Sequence, residues 1–381
     1  MSDSFFHGVE IIESNDGIRP IQTIRSSVIG LVGIADDADP ELFPVNEPTL
    51  ITNRKDAAKL GSNGTLVDAV NLIYDQVGAL IVIIRVKKEE DDNQQIATIL
   101  GGVDENEKRT GIHALLDAES KLGVKPKLLI VPGFSSEAGV VNQLVAVAEK
   151  LKAIIIAETP STTDTQAIEY LKNFDHARIY AVDPDVYILK QGEKVIVPCS
   201  GLIAGLIAKV DHRFGWHVSP SNHTLNGITG TQRAIEYSYA EESRANVLNE
   251  NRINVIIRQN GWRLWGNRTT TSDSKWQFLC IRRTADMINE SLLYAHQWAV
   301  DRGITKTFID DVTMSVNSYL RTLTAQGRII GGKCWVDQTI NSNSQILNGH
   351  IIFDFDFTPV YPAERITFRS KLTDEYLEEI F

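Results

Sequence analysis

Five short aliphatic runs, separated by four segments of helical periodicity, govern what residues 28–182 can fold into. The runs are VIGLVGIA (28–35), ALIVIIRV (79–86), KLLIV (127–131), AIIIA (153–157) and RIYAV (178–182). They are continuous rather than alternating, so both faces of each strand are meant for an apolar interior. Segments 65–76, 111–122, 137–152 and 164–174 place apolar residues three and four apart, the spacing of one helical face. Strand and helix in regular alternation predict an open, mostly parallel α/β sheet with helices on both sides. The charged stretch KKEEDDNQQ (87–95) reads as a surface connection.

From about residue 196 the alternation stops, and all six tryptophans lie beyond it: Trp216, Trp262, Trp265, Trp276, Trp298 and Trp335. Helical patterns cover 284–302 and 308–326, and strands are expected at 254–258, 275–281, 329–336 and 350–357, which predicts an α+β domain. Each end carries a short alternating strand. Val9 and Ile11 alternate with Gly8 and Glu10 ahead of the turn-prone ESNDG (13–17). Ile366, Phe368 and Leu372 share one face opposite Arg365, Thr367, Arg369 and Lys371. Pro359 and Pro362 disfavour a continuous hairpin with the strand before them, so the last strand has no obvious partner nearby. The expected organisation is an N-terminal arm and linker (1–20), an α/β domain (21–195), an α+β domain (196–358) and a C-terminal arm (359–381).

A chain of 381 residues, 43 % apolar and 23 % charged, buries a large core and is globular. Its longest apolar run, 202–210, is far short of the ~18 residues of a membrane span, so membrane insertion is not expected. The start, MSDSFFHGVEIIESNDG, lacks the charged-then-apolar order of a secretory signal. Cys199, Cys280 and Cys334 are widely spaced and odd in number, which suggests neither a disulfide framework nor a thiolate zinc site. Synthesis in a reducing cytoplasm follows. A net charge of −11 argues against general nucleic-acid binding. The charge is uneven, since residues 244–283 hold eight Lys and Arg against Glu250 and Asp273. That island reads as a solvated face, a partner for acids of the same chain, or a dock for an acidic surface.

Several stretches mimic catalytic or binding motifs. Gly30 and Gly33 fall inside an apolar run and fit strand packing better than a phosphate loop. GRIIGGKC (327–334) has the spacing of G-x-x-x-x-G-K but ends in Cys, and a helix precedes it while a strand follows, the reverse of a phosphate loop. Gly327 reads better as a helix C-cap. Ser272 and Lys275 in SDSK lack companion motifs, and His212, His217 and His223 fit no helical face or zinc set. Asp183 and Asp185 follow a strand's carboxyl end, where α/β sheets place sites, though Asp-Pro there is equally a turn. No active site, cofactor site or metal site assembles from these pieces.

Taken together, SFFHGVE (4–10), SSVIGL (26–31), RTGIHALLD (109–117), SPSN (219–222), GITGT (227–231), GWRLWGNRTTTSDSKW (261–276) and WAVDRGITKT (298–307) resemble contractile tail sheath proteins of myoviruses and R-type pyocins. The resemblance runs the length of the chain, and GWRLWGNRT and WAVDRGITKT carry it most specifically. It implies a structural protein and no enzyme. Subunits would stack as rings into a helical sleeve around a tail tube, with the α/β domain outside and the α+β domain inside. The sleeve would contract to drive the tube through a cell envelope. The resemblance further implies that terminal arms, here the strands of Val9 and Ile11 and of Ile366, Phe368 and Leu372, extend the inner-domain sheets of neighbouring subunits. Arms folded back on their own subunit are the alternative. Partners would be further copies, the tail tube protein, and baseplate and tail terminator proteins. The subunit would be made in the bacterial host and end in a virion tail or an extracellular phage-tail-like particle. Arg302 and Lys306, between two helical patterns, are candidate tube-facing cations. A nucleotide-binding α/β enzyme and a nucleic-acid-binding protein are the competing readings.

Overall fold

A computed structural model of the chain describes residues 21–239, 242–374 and 376. Two compact units emerge, the larger from 25–286 with the segment after 360, the smaller from 287–360 with residues 21–24.

In the larger unit the strands are β1 (Ile29–Ile34), β2 (Thr49–Ile51), β3 (Ile81–Val86), β4 (Gly102–Val103), β5 (Arg109–Thr110), β6 (Leu128–Ile130) and β7 (Ile154–Glu158). They continue as β8 (Ile179–Asp183), β9 (Val186–Lys190), β10 (Glu193–Val197), β11 (Thr224–Leu225), β12 (Gly230–Thr231), β13 (Asn254–Arg258) and β14 (Trp262–Trp265). Nine of them form one sheet in the order β11-β14-β13-β8-β7-β6-β1-β3-β2. From β13 to β3 the neighbours run parallel, and the antiparallel β2, β14 and β11 finish its edges. The five aliphatic runs are five of these six parallel strands.

Side-chain alternation divides each run between two cores. Ile29, Leu31, Ile81, Ile83, Leu128, Ile130, Ile154 and Ile156 face one core, shared with helices Thr65–Gln76 and Ser200–Arg213. Val32, Val82, Ile84, Leu129, Ile155 and Ala157 face the other, shared with helices Ala138–Leu151, Asp164–Leu171 and Arg244–Glu250. Double-sided burial is the physical reason the runs are continuous. On the first side, two glycines let helices approach to backbone contact. A Cβ on Gly201 would lie 2.8 Å from the Ala69 Cα, and one on Gly205 2.8 Å from the Ile73 Cα.

Several expectations change. The domain boundary expected at 196 falls inside the larger unit, because β13 pairs with β8 and the helix Ser200–Arg213 covers the sheet. A long excursion containing the small β10-β9-β12 sheet interrupts the β/α rhythm there. The stretch 275–281 is not a strand; Phe278, Cys280 and Ile281 form a local cluster at the start of helix Leu279–Ala295, and their spacing imitates alternation. The stretch 87–95 is only partly a connection, since Asp91 accepts from the Gln94 N–H and caps helix Asp92–Leu100. Residues 111–122 are 3₁₀-helical over Gly111–Asp117 before turning α-helical.

The smaller unit holds the second half of helix Leu279–Ala295, helix Lys306–Ala325, and strands β15 (Ile329–Trp335) and β16 (Asp354–Pro359). Gly327, at φ 69°, closes the long helix, and Arg328 N–H bonds back to Leu323 O. Asn317 on that helix holds β15 by bonding both the N–H and the carbonyl of Cys334 at 2.9 Å.

The glycine contact yields a stability test. Gly201→Val should cost about 1–3 kcal/mol by overpacking against Ala69, read as a lowered urea midpoint with unchanged m-value.

Candidate functional site

Among the described residues, β15 and β16 pair only with each other. Cys334 stands opposite Phe355 and Gly332 opposite Phe357, and Cys334 is buried beneath. The Phe355 and Phe357 rings stack at 6.3 Å. The opposite face carries Ile330, Lys333 and Trp335, all exposed, with the Lys333 ammonium 5.1 Å from the Trp335 ring centre. Among the described residues neither strand has a strand neighbour on its other edge, where on β15 the Asn317 amide already bonds Cys334, and an edge of this kind is a template for another strand.

The C-terminal segment, which belongs to the larger unit, is tied down at Glu364, whose carboxylate takes two bonds from Arg268, at 2.7 and 2.5 Å. Beyond it, residues 365–374 have no regular secondary structure. Ile366, Phe368 and Leu372 are 68 %, 91 % and 99 % exposed. Among the described residues the strand expected there makes no ladder. Val9 and Ile11 lie outside the described residues.

Arg302 and Lys306 are both exposed, as a tube-facing role requires. Arg302 lies in the connection between the two long helices with its guanidinium 5.8 Å from the Trp298 ring centre. Lys306 opens the second helix, which Thr305 caps. Asp301, Asp310 and Asp311 are exposed close by in sequence, so this end is mixed in charge. Half of the basic island's eight cations are ion-paired within the chain. Arg244 pairs with Asp164, Arg268 with Glu364, Arg282 with Asp286 and Arg283 with Asp211.

The carboxyl edge of the parallel sheet, where α/β proteins bind nucleotides, is filled by the chain itself. Glu158, at the end of β7, accepts from Ser200 N–H at 3.2 Å, the first residue of helix Ser200–Arg213. It occupies the helix end that would attract a phosphate. Burial raises the Glu158 pKa, with Ser135 and Ser200 bonds opposing. Asp183 accepts from Thr159 at 2.8 Å and pairs with Arg233. Asp185 accepts from Cys199 N–H at 3.3 Å, and burial, reinforced by Glu158, raises its pKa to about 8. Ser272 Oγ donates to Asp175 at 2.5 Å, so its hydroxyl is engaged there rather than by Lys275. Among the described residues no three His, Cys, Asp or Glu side chains gather as a metal set, and no helix is long and apolar enough to cross a membrane.

Sequence comparisons decide what these surfaces belong to. The N-terminal region of tail sheath protein Gp18 domain III matches residues 26–86, the phage tail sheath protein central domain residues 107–270, and the phage tail sheath C-terminal domain residues 271–373. A prophage major tail sheath protein of Pseudomonas aeruginosa (strain UCBPP-PA14) is 41 % identical over 381 residues, 99 % of either chain. The chain belongs to the phage tail sheath family. The tail sheath protein of Escherichia phage P2 is 36 % identical, covering 100 % of this chain and 98 % of its own. The helical sheath of the anti-feeding prophage in its contracted state shares the fold, with a TM-score of 0.76 and 23 % identity over 97 % of this chain and 99 % of that one. The sheath of an extracellular contractile injection system, PVC, also contracted, gives 0.73 and 18 % over 98 % and 99 %. This sheath subunit is thus a structural protein with a mixed α/β fold and a mostly parallel main sheet.

The open edges of β15 and β16 carried no sequence signal, because pairing is a property of the fold. The buried partners of the arginines were also missed. An acid inside a helix, as Asp286 is in RRTADMI, was their only trace.

The buried carboxyls predict how stability varies with pH. Asp185 has a folded pKa near 8 against an ordinary 3.8, so it keeps its proton in the folded state while the unfolded chain loses it. Its contribution is complete below about pH 4 and is lost as pH rises toward 8. Asp185→Asn removes that loss. Thermal melts should show the variant more stable than the parent near pH 8, with the gain vanishing near pH 4.

Proposed function

We infer that this chain polymerises as the sleeve of a contractile tail, stacking in rings around an inner tube, and that terminal strands tie each copy to others. The exposed alternating segment of Ile366, Phe368 and Leu372 carries the reading, because it is a strand in pattern with no ladder among the described residues. The two open edges of β15–β16 suit two incoming strands, one from the region of Val9 and Ile11 of one copy and one from Ile366–Leu372 of another. Main-chain bonds would supply affinity, and alternating side chains would set register.

Magnitudes favour an arm that docks firmly only in a lattice. Burying three apolar side chains is worth about 1.5–3 kcal/mol each, and ladder hydrogen bonds about 0.5–1.5 each. Ordering eight residues costs about 1–2 kcal/mol each. These contributions nearly cancel for one arm. Two arms with broad lateral contacts would bind through effective concentration. Arg365, Arg369 and Lys371 on the other face would discourage indiscriminate edge pairing.

In this reading the larger unit lies outward and the smaller faces the lattice and tube. Contraction would draw on metastable packing and need no cofactor or catalysis. The tail tube, baseplate and tail terminator are the proposed partners, with Arg302 and Lys306 as candidate tube contacts. Assembly would take place in the bacterial host before delivery as a virion tail or an extracellular phage-tail-like particle.

Deleting residues 363–381 should leave a folded monomer that forms no tubes by electron microscopy. Regular tubes from it would refute the arm model. Reversing the charges of Arg302 and Lys306 should weaken co-assembly with the tube protein, most visibly at low salt, where exposed charges are least screened. Unchanged co-assembly would remove these two residues from the interface.

A further inference from the structure

The chain passes between its two units at three places, 24/25, 286/287 and 360/361. On the side of the larger unit, a charged contact pins the chain within four residues of each crossing. At the first, Ser26 Oγ donates to Asp211 at 2.7 Å, and the Ser26 carbonyl accepts from Arg283 at 3.1 Å. Arg283 and Asp211 form a buried two-pronged pair. At the second, Asp286 is buried and takes bonds from Arg178 at 2.6 and 3.0 Å and from Arg282 at 2.9 Å. Arg178 is itself held by Glu149 at 3.0 Å. At the third, Arg268 grips Glu364.

We propose that these arginines form an anchor plate that fixes all three crossings to the larger unit, so that tension carried along the chain enters that unit at three set points. This gives the basic island a use beyond neutralising acids. It also places the root of the C-terminal arm at Glu364 rather than at the end of β16. From Glu364 the eight residues to Leu372 reach at most about 28 Å when extended. From Pro359 the same strand would have five more residues and a much larger volume to search. The plate thereby restricts where the arm can be delivered, a consequence that rests on the arm reading above.

The three anchors differ in character. The Arg283–Asp211 and Arg178–Asp286 pairs are buried, so removing one partner strands a charge and is strongly destabilising. Arg268–Glu364 is about one-third exposed and is open to salt. The third anchor can therefore be cut without unfolding the sheet.

Timed trypsin digestion of the full, unassembled chain, read by mass spectrometry, tests the plate. Arg25 and Arg365 flank two of the crossings, and Arg369 lies in the exposed arm as an internal reference. Cleavage after Arg369 should be several-fold faster than after Arg25 or Arg365. Arg268→Gln, which leaves the cleavage sequence intact, should bring Arg365 up to the Arg369 rate and leave Arg25 slow. The paired variant Arg283→Met with Asp211→Leu, which replaces ions by apolar groups of similar size, should instead speed Arg25 and spare Arg365. Equal cleavage after Arg365 and Arg369 in the parent, or rates that ignore these changes, would overturn the proposal. If the paired variant fails to fold, Arg268→Gln alone decides. Because no assembly is involved, a negative result here is distinct from a failure of the arm model, which is read from tube formation.

Discussion

Backbone donors and acceptors along a strand edge must bond to water or to another strand. In this protein the main sheet largely resolves that demand internally. Its six parallel strands are all flanked, and the edges end in the short β2 and β11. Among the described residues the small β15–β16 sheet has no strand neighbour on either outer edge, and the C-terminal arm leaves an apolar strand face exposed. In the proposed reading that sheet and that strand are complementary, and copies of the chain satisfy both. A rigid α/β body, a minimal sheet and a tethered strand then follow as parts of one polymerising unit.

Electrostatics serves architecture throughout. The carboxyl edge of the parallel sheet, available for a ligand in many α/β proteins, is occupied by Glu158, Asp183 and Asp185 with Ser, Thr and Arg partners of the same chain. Four of the eight cations that suggest a nucleic-acid surface in the sequence face acids of the same subunit. A net charge of −11 is thus compatible with a strongly basic stretch, since much of that stretch is neutralised in place.

What the sequence made legible follows from the range of the interactions involved. Helix 65–76 and the strands at 28–35, 79–86 and 254–258 were readable because burial and periodicity are local signals. The boundary at 196 was misplaced because membership of a sheet depends on β13 finding β8, some seventy residues earlier, and no local pattern records that pairing. The 275–281 stretch misled because Phe278 and Cys280 alternate for reasons of local clustering at a helix start. For the candidate site, the arm's alternation at Ile366, Phe368 and Leu372 was plain in the sequence. Its intended partner was not, since an open edge exists only after the chain has folded. The long signatures GWRLWGNRT and WAVDRGITKT supplied the family where physical patterns alone could not choose among α/β functions.

The central claim is that strands from other copies complete the β15–β16 sheet. A helical reconstruction of the assembled sheath, at a resolution that separates strands, tests it most directly. The account predicts a four-stranded sheet in every subunit, with one added strand on each free edge and the side chains of Ile366, Phe368 and Leu372 in register on one of them. A sheet that remains two-stranded in the polymer, with residues 365–372 folded against their own subunit, would contradict it.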